Sequence, residues 1–204
     1  MFFRGVRTAK NDKFHRNYPL MLYGRMTIGF VPLPMRIKNK IQQTKMKTLV
    51  LFGSTTGTAE SVARMIAGKL AAEVLNIADA TSSQIAAAER LVLGSSTWGL
   101  GELQDDWYDG IDKLKQTDLA NKTIAIFGVG DSVGYSDTFC GAMAELYKAV
   151  KDSGARLVGA VSTEGYSFDA SEAVVDGQFV GLALDEDNES NRTEERINDW
   201  LKTI

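Results

Sequence analysis

Apolar residues along this chain fall into short runs and helical spacings that alternate. Leu49, Val50, Leu51 and Phe52 form a continuous run that stops at Gly53, and Val62, Ile66 and Leu70 follow four residues apart. The run reads as a strand buried on both faces, the spacing as one side of a helix. A strand at 74–78, a short helix at 82–87 and a strand at 90–93 ending at Gly94 come next. A helix from about Gln104 places Trp107, Ile111 and Leu114 on one side. Then follow a strand at 123–127, a long helix at 138–153, a strand at 156–161 and a last helix at 193–203. Five strands interleaved with five helices predict an α/β fold with a doubly wound parallel sheet and helices on both faces. In such a sheet ligands sit beyond the carboxyl ends of the strands, where strand order reverses. The loops at 53–58, 95–103 and 128–139 leave such ends and should describe one ligand.

Charge divides the chain near Met46. Residues 1–45 hold ten Lys or Arg and one acid, Asp12, leaving 13 basic and 25 acidic residues in 46–204, a net charge of −12 against −3 overall. Pro19, Pro32, Pro34 and the only histidine, His15, also lie in 1–45. This segment shows neither helical nor strand periodicity and reads as a basic extension, disordered or not native. It is either a transit segment, although it contains no serine, or translated sequence upstream of a start at Met46. A secretory signal is not expected, for want of a clean apolar region and cleavage site. The folded unit is therefore 46–204. A single cysteine, Cys140, rules out an intramolecular disulfide and fits a reducing compartment. No apolar run approaches the roughly 18 residues a membrane helix needs. The expectation is a soluble, cytoplasmic monomer that binds neither nucleic acid nor membrane.

The loop Ser54, Thr55, Thr56, Gly57 and Thr58 runs from strand into helix, aiming backbone N–H groups and hydroxyls at one point that suits a phosphate. It is not a nucleoside-triphosphate loop, because Thr58 stands where lysine would be required. Alone, it reads equally well as a polar turn capping a helix. Gly128, Gly130 and Gly134 superficially resemble a dinucleotide fingerprint, but they follow the fourth strand, and Asp131 would repel a pyrophosphate. Trp98, between Thr97 and Gly99, has no sheet face to fill, and Tyr135 occupies the comparable place in the third loop. Either aromatic alone could be an ordinary loop anchor. As a pair they could sandwich a flat fused ring, each contributing about 0.5–1.5 kcal/mol beyond area burial. A phosphate loop with a stacking pair points to a mononucleotide with a planar head.

These residues match a known pattern. VLFGSTTGTAESVA resembles the flavodoxin phosphate-loop signature, STWGLGELQDDW its first ring-binding loop and FGVGDSVGYSDTF its second. The C-terminal VVDGQFVGLALDEDNESNRTEERINDWL resembles the long-chain flavodoxins, whose last strand is split by an insertion of about twenty residues. The resemblance covers 46–204 and none of 1–45. It implies a flavodoxin-like sheet of order 2-1-3-4-5 and non-covalent FMN, used to shuttle single electrons between redox proteins. It further implies that Ser54, Thr55, Thr56, Gly57, Thr58 and Ala59 surround the phosphate. Thr97, Trp98, Gly99 and Leu100 would pack beside one face of the isoalloxazine, and Tyr135 would stack on the other. Gly130, Asp131 and Phe139 would shape the second ring loop, and Asp187 would approach the ribityl chain. Two departures stand out: Thr58 and Ala59 replace the commoner Asn-Thr, and Gly141 stands where an acid is frequent.

A low potential follows from charge. FMN brings its own phosphate, the loop offers no cation, and Glu102, Asp105 and Asp106 lie just beyond the ring segment. Each close negative charge opposes reduction by about 1 kcal/mol at surface-like screening. Gly99, lacking a Cβ, can adopt backbone conformations closed to other residues, and in related flavodoxins a peptide flip here gives reduced N5 a carbonyl partner. The acidic excess favours steering toward basic redox partners: a donor like ferredoxin/flavodoxin–NADP reductase and a low-potential acceptor enzyme. The competing reading is a flavodoxin-fold NAD(P)H-dependent quinone reductase. Tyr135 would obstruct its second substrate, and the ring loops hold no His or Lys to act as acid or base.

Overall fold

The computed structural model describes residues 46–204; the expected basic extension 1–45 lies outside them. Strand β1 (Thr48–Gly53) shows why the strands read as unbroken apolar runs. Leu49 and Leu51 join one buried layer with Leu91, Leu93, Ile124 and Ile126. Val50 and Phe52 join the other with Val92, Ala125 and Phe127. Alternate side chains thus meet helices on both faces, as in parallel sheets generally. Helices α2 (Ser82–Ala87), α3 (Asp106–Lys115) and α4 (Ala142–Val150) cover the first layer through Ile85, Trp107, Leu114, Met143 and Leu146. Helices α1 (Thr58–Leu70) and α5 (Thr193–Trp200) cover the second through Val62, Ile66, Ile197 and Trp200.

Strands β2 (Glu73–Asn76), β1, β3 (Arg90–Trp98) and β5 (Thr123–Gly130) lie side by side in that order, all parallel. Two segments share the place beyond β5. Strand β6 (Arg156–Val158) pairs with Thr123–Ala125, and β10 (Leu182–Asp185) pairs with Phe127–Gly130. The expected order 2-1-3-4-5 therefore holds, with its fifth strand divided. Between the halves, β7 (Val161–Ser162), β8 (Val174–Val175) and β9 (Gln178–Phe179) form a separate antiparallel sheet of order β7-β9-β8. Strand β4 (Glu102–Leu103) folds back antiparallel on the end of β3.

Several expected boundaries move, three of them for a visible reason. The strand expected at 156–161 ends at Val158, because Gly159 turns at φ +81° and its carbonyl accepts the Trp200 Nε1–H at 2.8 Å. The third strand runs past Gly94 to Trp98. There glycine serves close packing rather than a turn, since a Cβ at Gly94 would lie 1.9 Å from Phe127 Cζ. The helix expected from 138 begins at Ala142, because Cys140 at φ +52° cannot belong to a right-handed helix. Among the described residues, no helix is long and apolar enough to cross a membrane.

Candidate functional site

At the carboxyl end of β1 the chain turns through Ser54–Gly57 into α1. Ser54 Oγ accepts the Gly57 N–H at 3.1 Å, and Gly57 sits at φ +91°, a left-handed conformation that glycine adopts without strain. The hydroxyls of Thr56 and Thr58 lie 3.4 Å apart. No side chain caps α1, so the first-turn N–H groups and the positive end of the helix dipole face outward together. Buried Gln104 ties this loop to the next: its Nε2 donates to Thr55 Oγ1 at 3.3 Å, and its backbone N–H donates to Ser95 Oγ at 3.2 Å.

The ends of β3 and β5 and the connection after β10 bring the remaining loops alongside. A cavity of about 330 Å3 opens between them, lined by Thr56, Thr58, Ser96, Thr97, Trp98, Gly99, Val129, Gly130, Asp131, Tyr135, Thr138, Phe139, Cys140 and Asp187. No lysine, arginine or histidine is among these residues. Trp98 is 41% and Tyr135 58% exposed, large aromatic surfaces with no covering layer of their own. The turn after Trp98 closes with the Gly101 N–H donating to the Trp98 carbonyl at 3.1 Å, and Gly99 sits at φ +50°. Two hydroxyls of lining residues, Thr97 Oγ1 and Thr138 Oγ1, are buried without a hydrogen-bond partner among the described residues.

Two carboxylates anchor the loop after β5. Asp131 Oδ1 accepts the Gly134 and Val133 N–H groups and Asn188 Nδ2, at 2.8, 3.0 and 2.8 Å. Foremost among these, the Gly134 N–H holds its pKa below the usual carboxylate range. Asp185, buried at the end of β10, accepts from Ser132 and Asn188 through side chain and backbone. Burial raises its pKa, but those hydrogen bonds outweigh it and the net direction is downward. Burial pushes the Cys140 thiol up instead, the opposite of an activated thiolate.

The flavodoxin family model matches residues 50–200. The chain belongs to the flavodoxin family. It is 40% identical to flavodoxin from Synechocystis sp. over 159 residues, covering 76% of this chain and 94% of that one. It is also 40% identical to flavodoxin 1 from Escherichia coli over 161 residues, covering 77% and 92%. Among solved structures, Fusobacterium nucleatum flavodoxin bound to flavin mononucleotide is similar at a TM-score of 0.73 and 29% identity, over 77% of this chain and 95% of that one.

Of the residues expected at a flavodoxin site, Thr56, Thr58, Thr97, Trp98, Gly99, Gly130, Asp131, Tyr135, Phe139 and Asp187 meet on one cavity. The others are placed differently. Ser54 and Gly57 shape the turn into α1, Thr55 accepts from Gln104, Ala59 is fully buried in the first turn of α1, and Leu100 is 85% exposed and not among the lining residues. Phe139 has a second task, because its ring packs in an aromatic cluster with Tyr166, Phe168 and Phe179. Ser96, Val129, Thr138 and Cys140 also line the cavity without being among the residues expected to touch the ligand, although the first three lie in the loops expected to carry it, and Gln104 braces two of those loops. Ser96 and Val129 belong to strands longer than their apolar runs, Thr138 was assigned to a helix, and nothing local marks Gln104 as buried.

Proposed function

We propose that this chain binds FMN non-covalently in the cavity and serves as a low-potential single-electron carrier between redox proteins. The observation that carries this reading is a single cavity with an uncapped helix N-terminus and hydroxyls at one end and two exposed aromatics at the other. The donor set fits the group. Thr56, Thr58 and the first turn of α1 would hold the phosphate, and Trp98 and Tyr135 would flank the ring. Bound there, the flavin would supply reversible one-electron chemistry.

The chain's own part is to hold and to bias. Asp131 and Asp187 in the lining, exposed Glu102 and Asp105, and part-buried Asp106 place negative charge near the ring, with no lining cation to offset it. That field opposes added electrons and makes the reduced protein a strong donor. The divided fifth strand supports assignment to the long-chain type. The FMN-binding unit is 46–204, working as a cytoplasmic monomer. A ferredoxin/flavodoxin–NADP reductase-like protein loads it, and a low-potential enzyme takes its electrons. The test is purification followed by anaerobic reductive titration under visible absorbance. The expected result is a yellow protein reduced in two separable one-electron steps, unaffected by NADPH until a reductase is added. A colourless protein that takes up no FMN, or bleaching by NADPH alone, overturns the proposal.

A further inference from the structure

Gln104 is the first residue after β4, the strand that folds back on β3 and pairs Glu102 with Trp98 and Leu103 with Thr97. It is only 5% exposed, and an amide so enclosed must find partners at both ends. Its Nε2 donates to Thr55 Oγ1 at 3.3 Å, and its Oε1 accepts the Asp106 N–H at 3.0 Å. A Cβ on Gly53 would collide with that Oε1, so the bare end of β1 makes the room the amide occupies. The backbone carries the connection onward. The Gln104 N–H donates to Ser95 Oγ at 3.2 Å, and Ser95 Oγ donates to the Ser96 carbonyl at 2.8 Å. Ser96 Oγ in turn accepts the Trp98 Nε1–H at 3.0 Å. A continuous series of contacts thus runs from the Ser54–Thr58 loop to the Trp98 indole. Among the described residues, Gln104 to Thr55 is the only side-chain hydrogen bond between residues 54–58 and 95–106.

We infer that Gln104 is a positioning residue that couples the two ends of the site, so that a phosphate held by the Ser54–Thr58 loop sets the Trp98 indole for the flavin ring. The inference rests on FMN occupying the cavity. Thr55 and Thr56 are exposed and no side chain caps α1, so a bound phosphate would order this loop. Ordering Thr55 fixes the acceptor of the Gln104 amide, and the Gln104 backbone fixes Ser95 and the strand end that carries Trp98. The ring then meets a site whose ordering cost is already met. Coupling of this kind is reciprocal: whatever factor phosphate adds to ring affinity, the ring adds to phosphate affinity. Neither Thr55 nor Gln104 lines the cavity, so their bond can be cut without removing a lining side chain.

The test measures riboflavin affinity of the apoprotein by quenching of flavin fluorescence, with and without saturating inorganic phosphate at matched ionic strength. Riboflavin has the ring and no phosphate, so the two probes fill the two ends separately. The quantity read is the ratio of the two affinities within one protein, from which a general loss of flavin binding cancels. The full chain is compared with Gln104→Met, Thr55→Val and Thr55→Ser, and far-UV circular dichroism verifies folding. Phosphate is expected to raise riboflavin affinity in the unaltered chain by at least about fivefold, the lower end for coupled sites. The factor should fall below about twofold in Gln104→Met and Thr55→Val and persist in Thr55→Ser, which keeps the hydroxyl. Should Gln104→Met fail to fold, exposed Thr55→Val cuts the same bond from the other side and decides alone. A factor of one in the unaltered chain, an undiminished factor in either cut variant, or its loss in Thr55→Ser overturns the inference. If the unaltered chain binds neither FMN nor riboflavin, the FMN reading itself fails, a separate outcome.

Discussion

The phosphate end and the ring end of the site are built by different means. Five consecutive residues make the first, and they organise themselves over short range: Ser54 bonds Gly57, Thr56 meets Thr58, and one left-handed glycine turns the chain into a helix. The second is drawn from the ends of β3, β5 and β10 and exists only once the sheet sets those strands side by side. It keeps what local structure cannot satisfy, two exposed aromatics and two unpartnered hydroxyls. Gln104, bonded to Thr55 and Ser95, joins the two ends. The contrast teaches that the anchor for the ligand is local while the groups facing its chemistry are assembled by the fold.

The sharpest way to break the comparison is to disable the phosphate end alone. Thr56→Val combined with Thr58→Val is expected to lower FMN affinity by about 100-fold, from two charge-assisted hydrogen bonds. Riboflavin binding should stay nearly unchanged, and equal losses would show that the loop does not read a phosphate. At the other end, Tyr135→Ala is expected to weaken FMN and riboflavin alike by about tenfold, the upper range for an aromatic pair. A loss confined to FMN would merge the two ends.

Acid should loosen the ring end. Asp131 and Asp185 have folded-state pKa values below the ordinary one, so their stabilising contribution is complete above about pH 4 and is lost as pH falls through the folded values. Flavin fluorescence should therefore rise in acid. Asp185→Asn should bind more weakly at neutral pH and show a shallower acid release, and an unaltered acid profile in that variant would contradict the anchoring role. The smallest effect concerns partners: electron-transfer rates to a basic redox protein are expected to fall several-fold between low and physiological salt. Rates indifferent to salt would exclude steering by Glu102, Asp105 and Asp106.

Much of this was legible from residue order because both faces of the sheet are covered. Leu49–Phe52 and Leu91–Leu93 announce themselves as apolar runs, and the loops at their ends carry small hydroxyl residues and lone aromatics that no strand needs. Boundaries were less legible where a glycine served packing. Gly94 looked like a strand end, yet it is a seat for Phe127. Cys140 looked like the opening of a helix, yet its left-handed backbone delays α4 to Ala142. Leu100, expected beside the ring, is exposed in the turn closed by the Gly101 N–H and is not among the lining residues.

By itself the sequence determined the alternation of strands and helices, the local phosphate loop, the separation of a basic 1–45 from an acidic 46–204, and the family. These rest on neighbours in the chain, where period, spacing and residue type act over a few positions. Only the tertiary structure decided that the insertion dividing the fifth strand forms a small antiparallel sheet, that Gln104 bridges two loops, and that the Cys140 thiol is sealed in the core. Each depends on groups far apart in sequence brought within a hydrogen bond's reach, which residue order does not encode until the sheet has closed.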